Sequence, residues 1–149
     1  MQNLLVIPSH FFVPEIIERR KPLARTARRA GWVGCNILFS QIPLAGRVSL
    51  VSEGRPVSKP TVLAAWQRTL FLRDQKKVEA RGWTLDVMRC VEQLSMPEFS
   101  LADIYTYEGR LSKLHANNRH VRAKIRQQLQ VLRDAGYLEF IGQGRYRVV

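Results

Sequence analysis

The clearest pattern of apolar and polar positions lies in the C-terminal half, where apolar residues recur at the spacing of amphipathic helices. The first predicted helix spans 84–96, with Thr84 as its N-cap and a proline directly after it. The second spans 100–115 and begins at a capping box of Ser100 and Asp103. Each helix has one apolar face that is predicted to pack in a common core. The apolar positions are Leu85, Met88, Val91 and Leu94 in the first helix and Leu101, Ile104, Tyr107, Leu111 and Leu114 in the second.

A third amphipathic stretch follows, and after it come two short apolar runs. One of the asparagines at 117–118 is the expected N-cap of this helix, and Gly136 is its expected C-terminal glycine. The runs at 137–141 and 146–149 flank a glycine-rich loop, which predicts a β-hairpin. Three helices followed by a hairpin are typical of a winged helix-turn-helix domain, which we assign to residues 80–149.

The N-terminal residues 1–79 carry shorter and less regular apolar runs. Ser58 precedes one of them and is its expected N-cap. Asp74-Gln75-Lys76-Lys77 is polar and is the expected linker between two units. The fold class predicted for the whole chain is therefore α+β. The predicted N-terminal elements are strands at 4–8, 32–39 and 47–51 and helices at 12–18 and 58–72.

The third helix of the C-terminal unit has two chemically different faces. With about 100° of rotation per residue, Val121, Ile125, Leu129 and Leu132 form one apolar stripe. The opposite side carries Arg119, Arg122, Ala123, Arg126, Gln130 and Arg133. Arginine can bind guanine through two hydrogen bonds, and glutamine or asparagine can do the same with adenine. This helix is therefore predicted to enter the DNA major groove. The predicted DNA contacts are Asn118, Arg119, His120, Arg122, Ala123, Arg126 and Gln127, with Arg145 and Arg147 in the hairpin.

The charge of the chain supports a polyanionic partner. The 149 residues contain 24 Lys+Arg and 12 Asp+Glu, which gives a formal net charge of +12 and a sequence pI of about 10.7. Seven basic residues and no acidic residue lie between Arg110 and Arg133, and a second basic cluster spans 19–29. A solvated helix face normally mixes both signs of charge. Such one-signed stretches favour contact with the phosphates of double-stranded DNA.

Several other classes of protein do not fit the sequence. No run of about 18 apolar residues is present and the N-terminus lacks the pattern of a secretion signal, so we expect a cytoplasmic protein without membrane contact. Cys35 and Cys90 are isolated, whereas zinc sites use closely spaced ligand pairs, so we expect no metal site. His115 and His120 could suggest catalysis, but capping or phosphate contact is the simpler interpretation.

The residues alone indicate no catalytic site. Restriction-type nucleases need an acid followed by an acid-x-Lys pair on an adjacent strand. The only acid-x-Lys match is Asp74-Gln75-Lys76, which lies in a polar segment, and the preceding acid, Glu53, lies in a predicted turn. We therefore expect no catalytic residues and no cofactor in this chain.

Several sequence blocks resemble the Dam-replacing restriction endonucleases, the DpnI-like enzymes. The resemblance extends over nearly the whole chain, and its longest blocks are the most specific. These blocks are Arg20-Lys21-Pro22-Leu23, Thr26-Ala27-Arg28-Arg29-Ala30-Gly31-Trp32, Gly34-Cys35-Asn36-Ile37, Gly46-Arg47, Phe71-Leu72-Arg73, Arg81-Gly82-Trp83-Thr84, Lys124-Ile125-Arg126-Gln127-Gln128-Leu129-Gln130, Leu132-Arg133-Asp134, Glu139-Phe140, and the wing residues Gly142, Gly144, Tyr146 and Arg147.

The resemblance implies a type II restriction enzyme that cuts GATC sites containing N6-methyladenine. Members combine a PD-(D/E)xK nuclease domain that holds magnesium and zinc with a C-terminal winged helix, and both domains bind the methylated site. By this resemblance, residues 1–79 are the end of the nuclease domain without its catalytic strands and zinc cysteines. Mg²⁺ and Zn²⁺ are therefore expected only in the full-length enzyme of the family.

Two functions remain open from the sequence. The first is the methylated-DNA-binding C-terminal part of a DpnI-like enzyme, either truncated or working with a separate N-terminal nuclease half. In that case Arg28, Arg29 and Trp32 are also expected to touch DNA, although Trp32 could instead be a buried strand aromatic. The second is a stand-alone winged-helix transcriptional regulator.

Overall fold

The computed structural model describes residues 1–149 and shows an α+β protein with six helices and three small sheets. None of the helices combines the length and the apolar character that spanning a lipid bilayer requires. The strands are β1 (Leu4–Val6), β2 (Ile17–Arg19), β3 (Cys35–Ile37), β4 (Val48–Ser52), β5 (Arg55–Pro56), β6 (Glu98–Ser100), β7 (Leu138–Gly142) and β8 (Arg145–Val148). The helices are α1 (Lys59–Gln67), α2 (Phe71–Asp74), α3 (Val78–Leu94), α4 (Leu101–Tyr105), α5 (Glu108–Leu114) and α6 (Val121–Asp134).

The C-terminal half has the predicted order of helices followed by a hairpin. β7 and β8 form the hairpin, and β6 adds a third antiparallel strand in the order β6-β8-β7. Helix α6 packs against α3, α4, α5 and β7. The predicted apolar stripe of α6 is confirmed, because Val121, Ile125, Leu129 and Leu132 are all buried. The capping box is also confirmed, with Ser100 N donating to Asp103 Oδ2 at 2.7 Å.

The expected helix start at Thr84 is wrong. Helix α3 begins at Val78, so Thr84 lies inside it and is fully buried. The Thr84 hydroxyl is close to the Ala80 carbonyl at 3.0 Å and to Gln128 Oε1 at 2.7 Å. A threonine can form such bonds within a helix, and its sequence signature is then the same as that of a cap.

The other two helix boundaries also differ from the prediction. The stretch 100–115 is divided into α4 and α5 at Thr106 and Tyr107. Helix α6 has His120 as its N-cap, with no hydrogen bond from a side chain to the helix. Asn118 instead accepts a hydrogen bond from the His120 backbone N–H at 2.8 Å, and so it shapes the turn before α6.

The N-terminal half contains a sheet of order β1-β4-β5 and a separate hairpin of β2 and β3. The helix predicted at 12–18 is absent: a 3₁₀ turn at Pro14–Ile16 leads directly into β2. The strand predicted at 32–39 is reduced to β3. The N-cap at Ser58 is confirmed by the Thr61 backbone N–H. The helix predicted at 58–72 ends early at Gln67, and α2 follows after a turn.

The hydrophobic core continues across the predicted linker at 74–77. Side chains of the N-terminal half and of the C-terminal half (residues 80–149) belong to one cluster of 21 buried residues. Phe11 is fully buried and lies so close to Gly46 that an added Cβ there would be 2.7 Å from its ring. His10 is also buried, and its Nε2 lies 3.2 Å from Thr69 Oγ1. Burial lowers the pKa of His10, and the nearby Arg81 and Arg73 lower it further. The N-terminal members of the cluster are Phe11, Val13, Ile16, Ile42 and Leu72.

Replacing Phe11 by alanine should destabilise the whole chain by about 3–5 kcal/mol, because a large aromatic side chain leaves a cavity in a shared core. Phe39→Ala is the matched control, since Phe39 is 41% exposed. Denaturant unfolding followed by circular dichroism measures both variants. A Phe11→Ala variant whose helical transition keeps the wild-type midpoint would contradict the shared core.

Candidate nucleic-acid interface

Helix α6 presents a polar surface on the side away from its buried stripe. Arg119, Arg122, Ala123, Arg126 and Gln127 are all exposed, as the sequence predicted. The apolar contacts of the buried stripe hold the helix in place, so the backbone that carries the outer side chains has a fixed position. The major groove of DNA is about 12 Å wide, which is enough for an α-helix to enter. The surface of α6 has the polarity and the hydrogen-bond donors that such a position requires.

One flank of α6 carries two arginines that neighbouring residues hold in place. Arg122 Nε donates to Glu108 Oε2 at 2.7 Å, and its guanidinium lies 5.0 Å from the Tyr105 ring centroid. Arg126 Nη1 donates to the Tyr105 hydroxyl at 2.9 Å. The hydrogen bond and charge of Glu108 raise the pKa of Arg122. Since the pair with Glu108 uses only Nε, both terminal nitrogens of Arg122 remain able to bind a partner.

The opposite flank of α6 is formed by Lys124 and Gln127, with His120 and Asn118 at the helix start. Lys124 Nζ donates to Gln127 Oε1 at 2.9 Å. Asn118, His120, Ala123, Lys124 and Gln127 line an open groove of about 400 Å³. The predicted contacts of this region are therefore brought together, although Asn118 is half-buried and uses its carbonyl oxygen in the turn.

The wing residues are exposed, but both are engaged with acidic groups. Arg147 pairs with Glu98 at 2.8 Å and with Glu139 at 3.0 Å, and Arg145 pairs with Glu98 at 3.4 Å. These carboxylates raise the pKa of Arg147, with Glu98 as the main cause. A DNA phosphate would have to share or displace these pairs, so the wing contributes less net positive charge than its sequence suggests.

The loop of the wing depends on residues with positive φ. Gly142, Gln143 and Gly144 have φ values of 97°, 50° and 70°. Gly144 also lies close to Leu101, where an added Cβ would be 3.2 Å from Cδ1. Its carbonyl accepts a hydrogen bond from the Leu101 backbone N–H at 2.9 Å, which ties the wing tip to the start of α4.

The acid-free run from Arg110 to Arg133 is not one continuous surface. Arg110 turns inward, where it hydrogen-bonds to Gln93, stacks on Tyr107 and lies 3.5 Å from Cys90 Sγ. The remaining basic residues of the run lie on α5, on α6 and in the turn between them. The linear pattern could not show this difference, since it depends on which side of α5 faces the core.

A second basic surface is formed by the loop between β2 and β3, which we call the basic arm (residues 20–34). Its backbone closes on itself through hydrogen bonds between Leu23 and Trp32 at 2.9 Å and between Arg20 and Gly34 at 3.0 Å. Arg28 and Arg29 are exposed. Trp32 is 55% exposed, so the interpretation as a buried strand aromatic is wrong. The ring of Trp32 lies over Gly34 instead, where an added Cβ would be 2.9 Å from it.

The residues considered for catalysis, His115, Asp74 and Lys76, are not brought together in one site. His115 stacks on Trp83 with ring centroids 3.8 Å apart, and its Nε2 lies 2.8 Å from Asp86 Oδ2. Asp74 ends helix α2 and pairs with Arg73 at 3.6 Å, while Lys76 lies in the following loop. No group of three or more His, Cys, Asp or Glu residues is arranged to hold a metal ion.

Sequence reasoning missed three residues that shape this surface. Tyr105 and Glu108 contact the arginines of α6 from neighbouring helices, and only the packing of α4 and α5 against α6 brings them there. Gln128 is 3% exposed and lies among the apolar positions of α6. A polar residue between two core positions was a visible signal that this part of the core contains a polar contact.

Family models match both halves of the chain. Residues 79–148 match the Dam-replacing HTH domain, and residues 1–75 match the Dam-replacing family. These matches confirm the resemblance that the sequence blocks indicated. An exposed basic helix in the position of a recognition helix agrees with the DNA-binding role of such a domain. The chain therefore belongs to the Dam-replacing family and carries its HTH domain, which gives it a DpnI-like DNA-binding role.

Proposed function

We propose that this chain binds double-stranded DNA at GATC sites whose adenine carries an N6-methyl group. The proposal depends mainly on the paired arginines of α6, Arg122 and Arg126, which are exposed and held by Tyr105. Each guanidinium can donate two hydrogen bonds to guanine O6 and N7. Holding these groups in advance lowers the entropy cost of forming the complex.

The methyl group itself requires a small apolar space in the major groove. Ala123 lies next to Arg122 on the exposed side of α6, and its methyl side chain leaves room where a longer side chain would not. Trp32 offers a second apolar surface on the basic arm, which also carries Arg28 and Arg29. We assign the preference for methylated adenine to one or both of these positions.

Residues 1–79 are proposed to derive from a PD-(D/E)xK nuclease domain and to act through the basic arm. The arm carries basic side chains but no acidic residue, so it can contact phosphates without competing ion pairs. The proposed DNA contacts are made by protein side chains alone, so this binding is expected to require neither Mg²⁺ nor Zn²⁺.

Competition titrations test the function. A labelled duplex with N6-methylated GATC is bound at fixed salt and displaced by methylated, unmethylated or scrambled duplexes, with and without a chelator. The methylated competitor is expected to displace the label at about tenfold lower concentration than the others, since a well-fitted contact to a base edge contributes 1–3 kcal/mol. The chelator should leave the displacement of the labelled duplex unchanged.

Two results would contradict the proposal. Equal displacement by all three duplexes would show that the protein binds DNA without reading this site. Loss of binding on addition of the chelator would show that a bound metal ion supports the interface.

A further inference from the structure

A trough runs along the lysine flank of α6, between this helix and the loop that joins α2 to α3. The part nearest the loop has a volume of about 400 Å³. It continues into the groove at the start of α6, and the two parts share Lys124 and Gln127. The trough is therefore one surface feature that runs from the loop to the start of α6. Its loop-side lining consists of Asp74, Gln75, Lys76, Lys77, Ala80, Lys124, Gln127, Gln128 and Val131.

The walls of the trough are positively charged. Lys76 and Lys77 stand on the loop side and are exposed, and Lys124 stands on the α6 side. The single acidic residue, Asp74, is paired with Arg73 at 3.6 Å. Lys76 and Lys77 take part in no ion pair, so their charges are available to an anionic ligand.

The floor of the trough contains a buried polar side chain, Gln128. Gln128 is 3% exposed, and its Oε1 lies 2.7 Å from the Thr84 hydroxyl. The Thr84 hydroxyl also lies 3.0 Å from Gln75 Oε1, so it lies between two glutamines that line the trough.

We infer that this trough binds the phosphodiester backbone of one DNA strand, with Lys76, Lys77 and Lys124 as the charged contacts. The inference rests on the proposed DNA binding and adds a contact surface to it. When a helix lies in the major groove, the two phosphate backbones run along its two sides. The trough lies along the flank of α6 away from Arg122 and Arg126, so a backbone in it leaves both arginines available to the base edges.

Removing the two loop lysines tests this surface. In K76A/K77A the plot of log K against log salt concentration should become less steep by about 2, since each lost phosphate contact reduces the slope by about 0.9. The affinity should fall by the same factor for methylated, unmethylated and scrambled duplexes, because phosphates are common to all of them. The matched control is R55A/K59A, which removes two exposed charges on β5 and α1.

Each outcome of this comparison supports or contradicts the inference. The inference is supported if the K76A/K77A plot is less steep than that of the wild type while the R55A/K59A plot has the wild-type slope. If K76A/K77A and the control behave alike while the wild type still binds DNA, the trough inference is wrong and the proposed function stands. If the wild type binds no duplex at all, the proposed function itself fails.

A second variant tests the floor of the trough. Q128E places a carboxylate in the floor of the trough, where it would repel phosphates and should weaken duplex binding about tenfold or more at low salt. Q67E, on the exposed side of α1, is the control. Wild-type affinity in a folded Q128E would contradict the inference. If Q128E fails to fold, the lysine variant decides.

Inorganic phosphate separates a backbone contact from a site for the free anion. Thermal unfolding is compared in phosphate and in chloride at equal ionic strength. Wild type and K76A/K77A should respond alike, because the lysines are assigned to the linked phosphates of a DNA strand and not to a single anion. A stabilisation by phosphate that occurs only in the wild type would assign the trough to the free anion.

Discussion

Raising the salt concentration from 50 to 200 mM should weaken duplex binding by about 10³–10⁴-fold. DNA phosphates release condensed counterions when basic side chains neutralise them, so log K falls linearly with log salt concentration. If six to eight phosphates are engaged, the slope is roughly −5 to −7. The exposed charges of α6 and the basic arm are sufficient for this number. In the basic arm, in α6 and in the turn before it, the exposed basic side chains without an ion pair are Arg20, Lys21, Arg25, Arg28, Arg29, Arg119 and Arg126.

Fluorescence anisotropy at four or more salt concentrations measures this slope. The ion pairs of the wing limit how steep this slope can become, since Arg145 and Arg147 already pair with Glu98 at 3.4 and 2.8 Å. A variant that removes Arg28 and Arg29 should have a slope less steep by about 2. A slope near zero in the wild type would show that none of these basic residues neutralises DNA phosphates.

Replacing Arg122 or Arg126 by alanine should cost about 1–3 kcal/mol in binding to methylated GATC, which is roughly a 5- to 150-fold loss of affinity. The loss should be smaller on unrelated DNA, because a lost base contact removes discrimination whereas a lost phosphate contact weakens all sequences alike. Both arginines lie on one flank of α6 and share Tyr105 as a partner.

Tyr105→Phe provides a finer comparison, because it keeps the ring beneath Arg122 and removes only the hydroxyl that Arg126 binds. It should lower the affinity for methylated GATC less than Arg126→Ala does, with no change in thermal stability. Titrations with methylated, unmethylated and scrambled duplexes at fixed salt measure each variant. Equal losses on all three duplexes would make these arginines backbone contacts and would assign base recognition to the wing or to Trp32.

The periodic part of the fold could be predicted from the sequence because its signals are local. The apolar stripe of α6, the capping box at Ser100 and the glycine-rich hairpin each follow from residues that are close together in the sequence. Element boundaries were less certain. Thr84 has the sequence pattern of an N-cap, but a threonine hydroxyl can bond to a helix carbonyl equally well, and only the structure shows that α3 begins earlier, at Val78.

The irregular N-terminal half was harder to predict. Its short strands are held by pairing between residues far apart in sequence, as in the register of Leu5 with Ser49. Local patterns do not contain such information, so a 3₁₀ turn and a strand were mistaken for one helix at 12–18. The shared core could not be predicted for the same reason. Phe11 joins the buried residues of the C-terminal half only when distant parts of the chain fold together.

The sequence by itself determined the winged-helix order, the family and the exposed basic face of α6, because these depend on periodicity and on contiguous motifs. Only the tertiary structure decided which charges are free. Arg110 is turned toward Cys90, the wing arginines face Glu98, and Glu108 reaches Arg122 from another helix. Ion pairs and buried hydrogen bonds depend on distances between elements, and these distances are fixed only when the elements pack together.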